Sequence, residues 1–189
     1  DTEIQKYTNE LLAGEAGSIS VMDIFTGEII AMNSSPSFNP NDFLYGIGSK
    51  EWKDLNSNPF KPLVNKTISG LYSPGSTIKP LVALSALENN VIKPSMRVFC
   101  KDNIDFYGQK FHCWKKKGHG HMTLKNAIKQ SCDIYFYEVA RLLGVDRLNE
   151  TANRFGLGKI VLKNFFENEK KGVFPSTEWK KTAIGQNWY

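Results

Sequence analysis

The chain has 189 residues, 41% hydrophobic and 23% charged, which is enough for one good core and excludes disordered and collagen-like chains. Its net charge of +5 comes from scattered lysines. That pattern argues against a nucleic-acid partner and suits a solvated surface near anionic lipid or cell-wall polymer.

Taken in chain order, Ile4, Tyr7, Leu11 and Leu12 fall at helical spacing, predicting a short amphipathic helix over 1–13 that Gly14 ends. Residues 17–24 then alternate, with Ile19 and Val21 on one face. The turn Phe25-Thr26-Gly27-Glu28 and a second strand over 29–32 complete a β-hairpin. Residues 33–75 are rich in Ser, Pro, Asn and Gly, and predict a long irregular excursion with one short helix near 50–55. An excursion of that length in a compact domain is usually functional. After Ser76, Leu81-Val82-Ala83-Leu84 and Ala86-Leu87 form a helix apolar on nearly every side, which predicts burial. Helices follow at 123–130, at 133–143 closed by Gly144, and at 146–155 with Asp146 as N-cap and Gly156 as stop. Ser176 or Thr177 caps a last helix. With no repeat and no linker, residues 1–189 read as part of a single domain. No apolar run approaches the roughly 20 residues of a membrane helix, and no signal peptide is visible. The start at Asp1 and the stop after Tyr189 read as boundaries set within a longer protein.

The sharpest chemical feature is Ser73-Pro74-Gly75-Ser76-Thr77-Ile78-Lys79-Pro80. A Ser and a Lys three apart at a helix start share one face, where the amine can take the hydroxyl proton and the helix N-terminus favours the developing alkoxide. S-x-x-K alone more often marks an ordinary helix cap. Here a Pro-Gly turn feeds the Ser, a buried helix follows, and a second polar triad appears at Ser131-Cys132-Asp133. A hydroxyl at that junction can shuttle a proton to a leaving amine. Ser131 or Asp133 is expected to cap the following helix as well. The expected geometry puts Ser76 at the head of a buried helix, with its hydroxyl and the Lys79 amine facing a cleft beside Ser131.

All three cysteines and all three histidines lie between 100 and 132, spaced Cys100-x12-Cys113-x5-His119-x12-Cys132. Gly118 and Gly120 free the backbone around His119. Three thiolates and one imidazole suit a closed, structural zinc site. A Cys100–Cys113 disulfide that leaves Cys132 spare is the alternative, and both readings stay open on the residues. His112, His121 and Lys115-Lys116-Lys117 read as surface.

These motifs resemble the penicillin-binding transpeptidases, whose signature is S-x-x-K, a second Ser motif and K-T-G. The chain is most similar to their elongation-type class B group, penicillin-binding protein 2. The matching stretches are Val21-Met22-Asp23 with Thr26-Gly27-Glu28 and Ala31-Met32, Ser34 to Phe38, Tyr72 to Pro80, Phe111 to Gly120, Lys129 to Tyr137, and Arg154 to Gly158. The resemblance implies a mixed α/β (α+β) fold of the penicillin-binding/serine β-lactamase type. The N-terminal hairpin would supply two of five antiparallel strands, beside a helical subdomain. It also implies Ser76 as nucleophile, Lys79 as its base and Ser131 as proton relay, with Asp133 where many relatives carry Asn. Some relatives hold zinc at the positions of Cys100, Cys113, His119 and Cys132, which favours the metal reading.

The implied activity is D,D-transpeptidation of peptidoglycan stem peptides through an acyl-serine that β-lactam antibiotics also form. A β-lactam-sensing module that acylates without turnover is the alternative. The resemblance implies a membrane-anchored parent on the periplasmic face of the inner membrane, working with an elongation-complex glycosyltransferase. Two departures stand out: residues 159–170 lack a Gly-rich acidic segment, and no K-T-G occurs. That strand supplies part of the oxyanion hole, worth about 10²–10³ in rate per donor. The chain alone is therefore expected to be close to inactive, and a hairpin with an unpaired edge is expected to self-associate.

Overall fold

The structure is a computed structural model that describes residues 1–106 and 108–184. They form two compact units, one of residues 1–72 and 162–170, the other of 73–161 and 171 onward. Among the described residues, no helix is long and apolar enough to cross a membrane.

In the first unit, Asp1 caps α1 (Thr2–Leu11) through bonds from the Glu3 and Ile4 N–H groups. The hairpin forms as expected, β1 (Gly17–Met22) pairing antiparallel with β2 (Ile29–Ser35) and setting Val21 opposite Ala31. The outer edge of β2 is taken by α1. Gln5 Nε2 donates to Met32 O at 2.8 Å, and the Met32 N–H donates back to Gln5 Oε1 at 2.9 Å, so one side chain completes the ladder that a strand would. Among the described residues, β1 has no strand on its other side. The expected irregular stretch at 33–75 is more ordered than its composition suggests. β2 runs on to Ser35, a 3₁₀ turn spans Pro40–Phe43, and α2 (Ser49–Ser57) and α3 (Lys66–Ser69) follow. Asn side chains organise this segment, Asn39 and Asn65 accepting the N–H groups of Asn41 and Thr67.

The second unit holds the main core. α4 (Lys79–Glu88) buries Val82, Ala83 and Ala86. β3 (Arg97–Cys100), β4 (Asn103–Phe106), β5 (Gln109–His112) and β6 (Gly120–Thr123) form two nested antiparallel pairs, β3–β6 around β4–β5. Then come α5 (Leu124–Lys129), α6 (Asp133–Leu143), α7 (Val145–Arg154) and α8 (Thr177–Ile184). Ile134, Tyr135, Phe136, Val139 and Leu143 of α6 pack into one cluster with α4, Met122 and Ala127. Each large side chain so buried contributes about 1.5–3 kcal/mol. The four short strands over 97–123 are not predicted by periodicity, because each has only four residues and charged or glycine neighbours break the alternation.

Three helices of this unit end in the same turn. After α4, Val91 N–H donates to Ala86 O (2.9 Å) and Asn90 N–H to Leu87 O (3.0 Å). After α5, Cys132 N–H donates to Ala127 O (2.9 Å) and Ser131 N–H to Ile128 O (3.2 Å). After α7, Leu157 N–H donates to Ala152 O (3.0 Å) and Gly156 N–H to Asn153 O (3.2 Å). This bond pair is a Schellman motif, which needs a left-handed residue just past the helix. That residue is Asn90, Ser131 or Gly156, with φ of 54°, 49° and 80°.

The expected caps are corrected at two places. Asp146 does not cap α7: Gly144 both ends α6 and precedes Val145, leaving no position between the helices. Asp146 instead accepts from Thr177 N (2.8 Å) and Thr177 Oγ1 (2.7 Å) at the start of α8, bonds that hold its carboxyl below the ordinary value. Ser176 does cap α8, its Oγ accepting the Trp179 N–H at 3.0 Å. At α6 the N-cap position is held by Cys132, not by Ser131 or Asp133.

Candidate active site

Pro80 sets the local backbone around Ser76. It has no N–H to return to the Ser76 carbonyl, so Lys79 N–H takes that carbonyl and residues Gly75–Ile78 wind as a 3₁₀ turn ahead of α4. Ser76 therefore lies in the turn before the helix, not at the head of a buried α-helix, and it is exposed. Among the described residues, no hydrogen bond joins its hydroxyl to Lys79.

Lys79 is the buried member, 9% exposed. Its ammonium donates to Asp133 Oδ1 at 2.6 Å, Ser131 Oγ at 2.9 Å and Ser131 O at 2.9 Å, which uses all three of its N–H bonds. The Phe136 ring lies 5.8 Å from Nζ and closes the apolar side. Neither Ser131 nor Asp133 caps α6. Cys132 occupies the N-cap position, with no side-chain bond to the helix. Ser131 is held in the left-handed turn that ends α5, and both Asp133 oxygens are spoken for, Oδ1 by Lys79 and Oδ2 by the Trp114 N–H at 2.9 Å.

The nested hairpins bring the Cys and His residues together. β3–β6 pairing sets Cys100 opposite Gly120, and Cys113 N–H donates to Asp102 O at 2.7 Å as β5 ends. His119 N–H reaches Cys100 O at 3.1 Å. Gly118 makes this approach possible: its φ is +69°, and a Cβ there would lie 1.4 Å from Lys101 O. The ligand atoms of Cys100, Cys113, His119 and Cys132 lie within 4.8 Å of one another. His119 Nδ1 stands 3.5 Å from Cys100 Sγ and 3.4 Å from Cys113 Sγ. Bond lengths of about 2.3 Å to sulfur and about 2.0–2.1 Å to nitrogen give a tetrahedral S···N edge of about 3.5 Å, so these residues fit a zinc ion. All three cysteines are free thiols, and burial pushes Cys132 up to about 12. Burial first, then the Lys115 ammonium, holds His119 below its ordinary value. His112, His121 and Lys115–Lys117 are exposed.

Residues 17–188 match the family described as the penicillin binding protein transpeptidase domain. The chain belongs to this family. It is 38% identical over 191 residues to the peptidoglycan D,D-transpeptidase MrdA of Escherichia coli (strain K12), covering 100% of this chain and 30% of that protein. Among solved structures, Pseudomonas aeruginosa PBP2 in complex with WCK 5153 superposes with a TM-score of 0.91 at 41% identity, covering 100% of this chain and 43% of that one. The Helicobacter pylori complex of PBP2 with MreC gives a TM-score of 0.91 at 34% identity, covering 100% and 36%. The mixed α/β transpeptidase fold is thus the fold of this chain, which spans less than a third of the length of the curated relatives it matches.

Within this penicillin-binding family chain, the structure brings Lys79, Ser131 and Asp133 into direct contact, leaves Ser76 one exposed turn away, and gathers the four Cys and His ligands. Sequence reasoning missed Trp114. Its indole Nε1–H is shared between Gln130 O (3.0 Å) and Ser131 O (3.1 Å). Its place directly after Cys113, inside the matching stretch Phe111–Gly120, was the available signal.

Proposed function

We propose that the protein containing this chain is a peptidoglycan D,D-transpeptidase. The observation that carries the reading is the Lys79 ammonium held by Ser131 and Asp133 three residues after an exposed Ser76. Ser76 Oγ attacks the carbonyl carbon of a stem-peptide D-alanyl bond and forms the acyl-serine; its proton passes to Lys79 as the Lys79 ammonium gives one of its own to Ser131 Oγ, so the ammonium is restored. Ser131 Oγ, on the same amine, hands a proton to the departing D-alanine nitrogen. A second stem-peptide amine then attacks the acyl-serine, giving the cross-link and returning Ser76. A β-lactam opens its ring on the same oxygen. The MreC complex of the H. pylori relative supports a place in an elongation assembly, working with a glycosyltransferase on the outer face of the cytoplasmic membrane.

In the full-length protein, Ser76→Ala should abolish both fluorescent-penicillin labelling and D-alanine release from a stem pentapeptide. Labelling that survives Ser76→Ala overturns the assignment, and labelling without D-alanine release points to a sensor.

The metal belongs to the same proposal. Cys100, Cys113, His119 and Cys132 hold one zinc whose four positions are all protein atoms, so its chemistry is structural: it ties the loop after β5 to the Ser131 turn. Elemental analysis should give about one zinc per chain, lost in Cys113→Ser. Metal-free protein with a Cys100–Cys113 disulfide by mass spectrometry overturns it.

A further inference from the structure

Every acceptor that Lys79 grips on the backbone or carboxylate of the Ser131–Asp133 segment is also gripped by Trp114. The Ser131 carbonyl receives Lys79 Nζ at 2.9 Å and the Trp114 indole N–H at 3.1 Å. The Asp133 carboxylate receives Lys79 Nζ on Oδ1 at 2.6 Å and the Trp114 backbone N–H on Oδ2 at 2.9 Å. The indole also reaches Gln130 O, and the ring stands edge-on to His119 with centroids 5.4 Å apart. The segment so held contains Ser131 at φ +49°, a conformation that non-glycine residues keep only when the surroundings over-determine it.

We propose that Trp114 is a positioning residue for the active site, its indole clamping the left-handed Ser131 turn so that Ser131 Oγ stays in register with Lys79. It touches no reacting atom in the scheme above and acts through the Ser131 carbonyl. The backbone bond to Asp133 is open to any residue but proline at position 114. The indole bond to the Ser131 turn is specific to Trp. The proposal rests on the transpeptidase reading for its effect on rate, and on geometry alone for its effect on the turn.

Trp114→Phe in the full-length protein keeps an aromatic ring and removes only the indole N–H. The penicillin acylation rate constant should fall about five- to tenfold, the loss of one net hydrogen bond, with the noncovalent dissociation constant unchanged. Zinc content should match wild type, and stability should fall by no more than that one bond, about 1 kcal/mol. Combined with Ser131→Ala, Trp114→Phe should remove less than a further twofold, because the group it positions is already gone. Hydrogen exchange at the Ser131 and Cys132 amides should speed up in Trp114→Phe whether or not the protein reacts with penicillin. A wild-type protein inert to penicillin would sink the transpeptidase reading and leave exchange to decide this one. Unchanged exchange, unchanged acylation, or a full additional loss on top of Ser131→Ala overturns the role of Trp114.

Discussion

The end of α5 and the end of α7 are built by the same pair of backbone bonds, yet one carries Ser131 at the left-handed position and the other Gly156. Glycine adopts that conformation freely. A residue with a Cβ pays about 1 kcal/mol for it. At Gly156 an added Cβ would meet only Val161 Cγ1 at 3.6 Å, an ordinary contact, so glycine is there for its backbone and not for want of space. At Ser131 the strain persists because the hydroxyl and carbonyl are both used, by Lys79 and Trp114. The end of α4, with Asn90, lies between the two, since Asn tolerates the left-handed region better than other non-glycine residues. A shared turn closed by Gly, Asn and Ser separates what the fold needs from what the site needs.

The largest test of that contrast is to replace Ser131 by Gly and by Ala. Both remove the hydroxyl, so penicillin acylation of the full-length protein should fall about 10²–10⁴ in each. Only Gly relieves the backbone. Ser131→Gly should therefore be more stable than Ser131→Ala by about 1 kcal/mol, read as a higher Tm. Equal melting temperatures would mean that the turn stores no strain.

Gly156→Ala probes the other end. It should lower stability by a similar amount, about 1 kcal/mol, and leave acylation within about twofold of wild type. A large loss of acylation there would erase the contrast between the two turns. The smallest effect is expected at Asn90→Gly, a stabilisation of a few tenths of a kcal/mol by urea denaturation, with acylation unchanged. Destabilisation would show that the Asn90 side chain does more than tolerate its φ.

Local signals were legible where one residue decides the outcome. Gly144 and Gly156 mark the stops after 143 and 154, and Ser176 caps α8. The all-round apolar pattern of residues 81–87 marks the buried helix. Caps that depend on competition were not legible: Asp133 and Asp146 both look like N-caps, but their carboxylates are claimed by Lys79 and Thr177. The 3₁₀ turn at Ser76 follows from Pro80, whose missing N–H is plain in the sequence. The cover that Gln5 places on the β2 edge was also invisible, because a polar side chain on an exposed helix carries no sign of a strand partner.

The sequence by itself determined the family, the Ser-x-x-Lys and Ser-x-Asp motifs, the four Cys and His positions, and most helix ends, because each is written in residues close along the chain. The tertiary structure alone decided that Lys79 meets Asp133 across 54 positions, that Ser131 is the strained member of a Schellman turn, and that Trp114 grips it from the other side. Those facts depend on α4, α6 and the loop after β5 packing within hydrogen-bond reach. No local pattern encodes that convergence, since the groups involved are ordinary until the core brings them together.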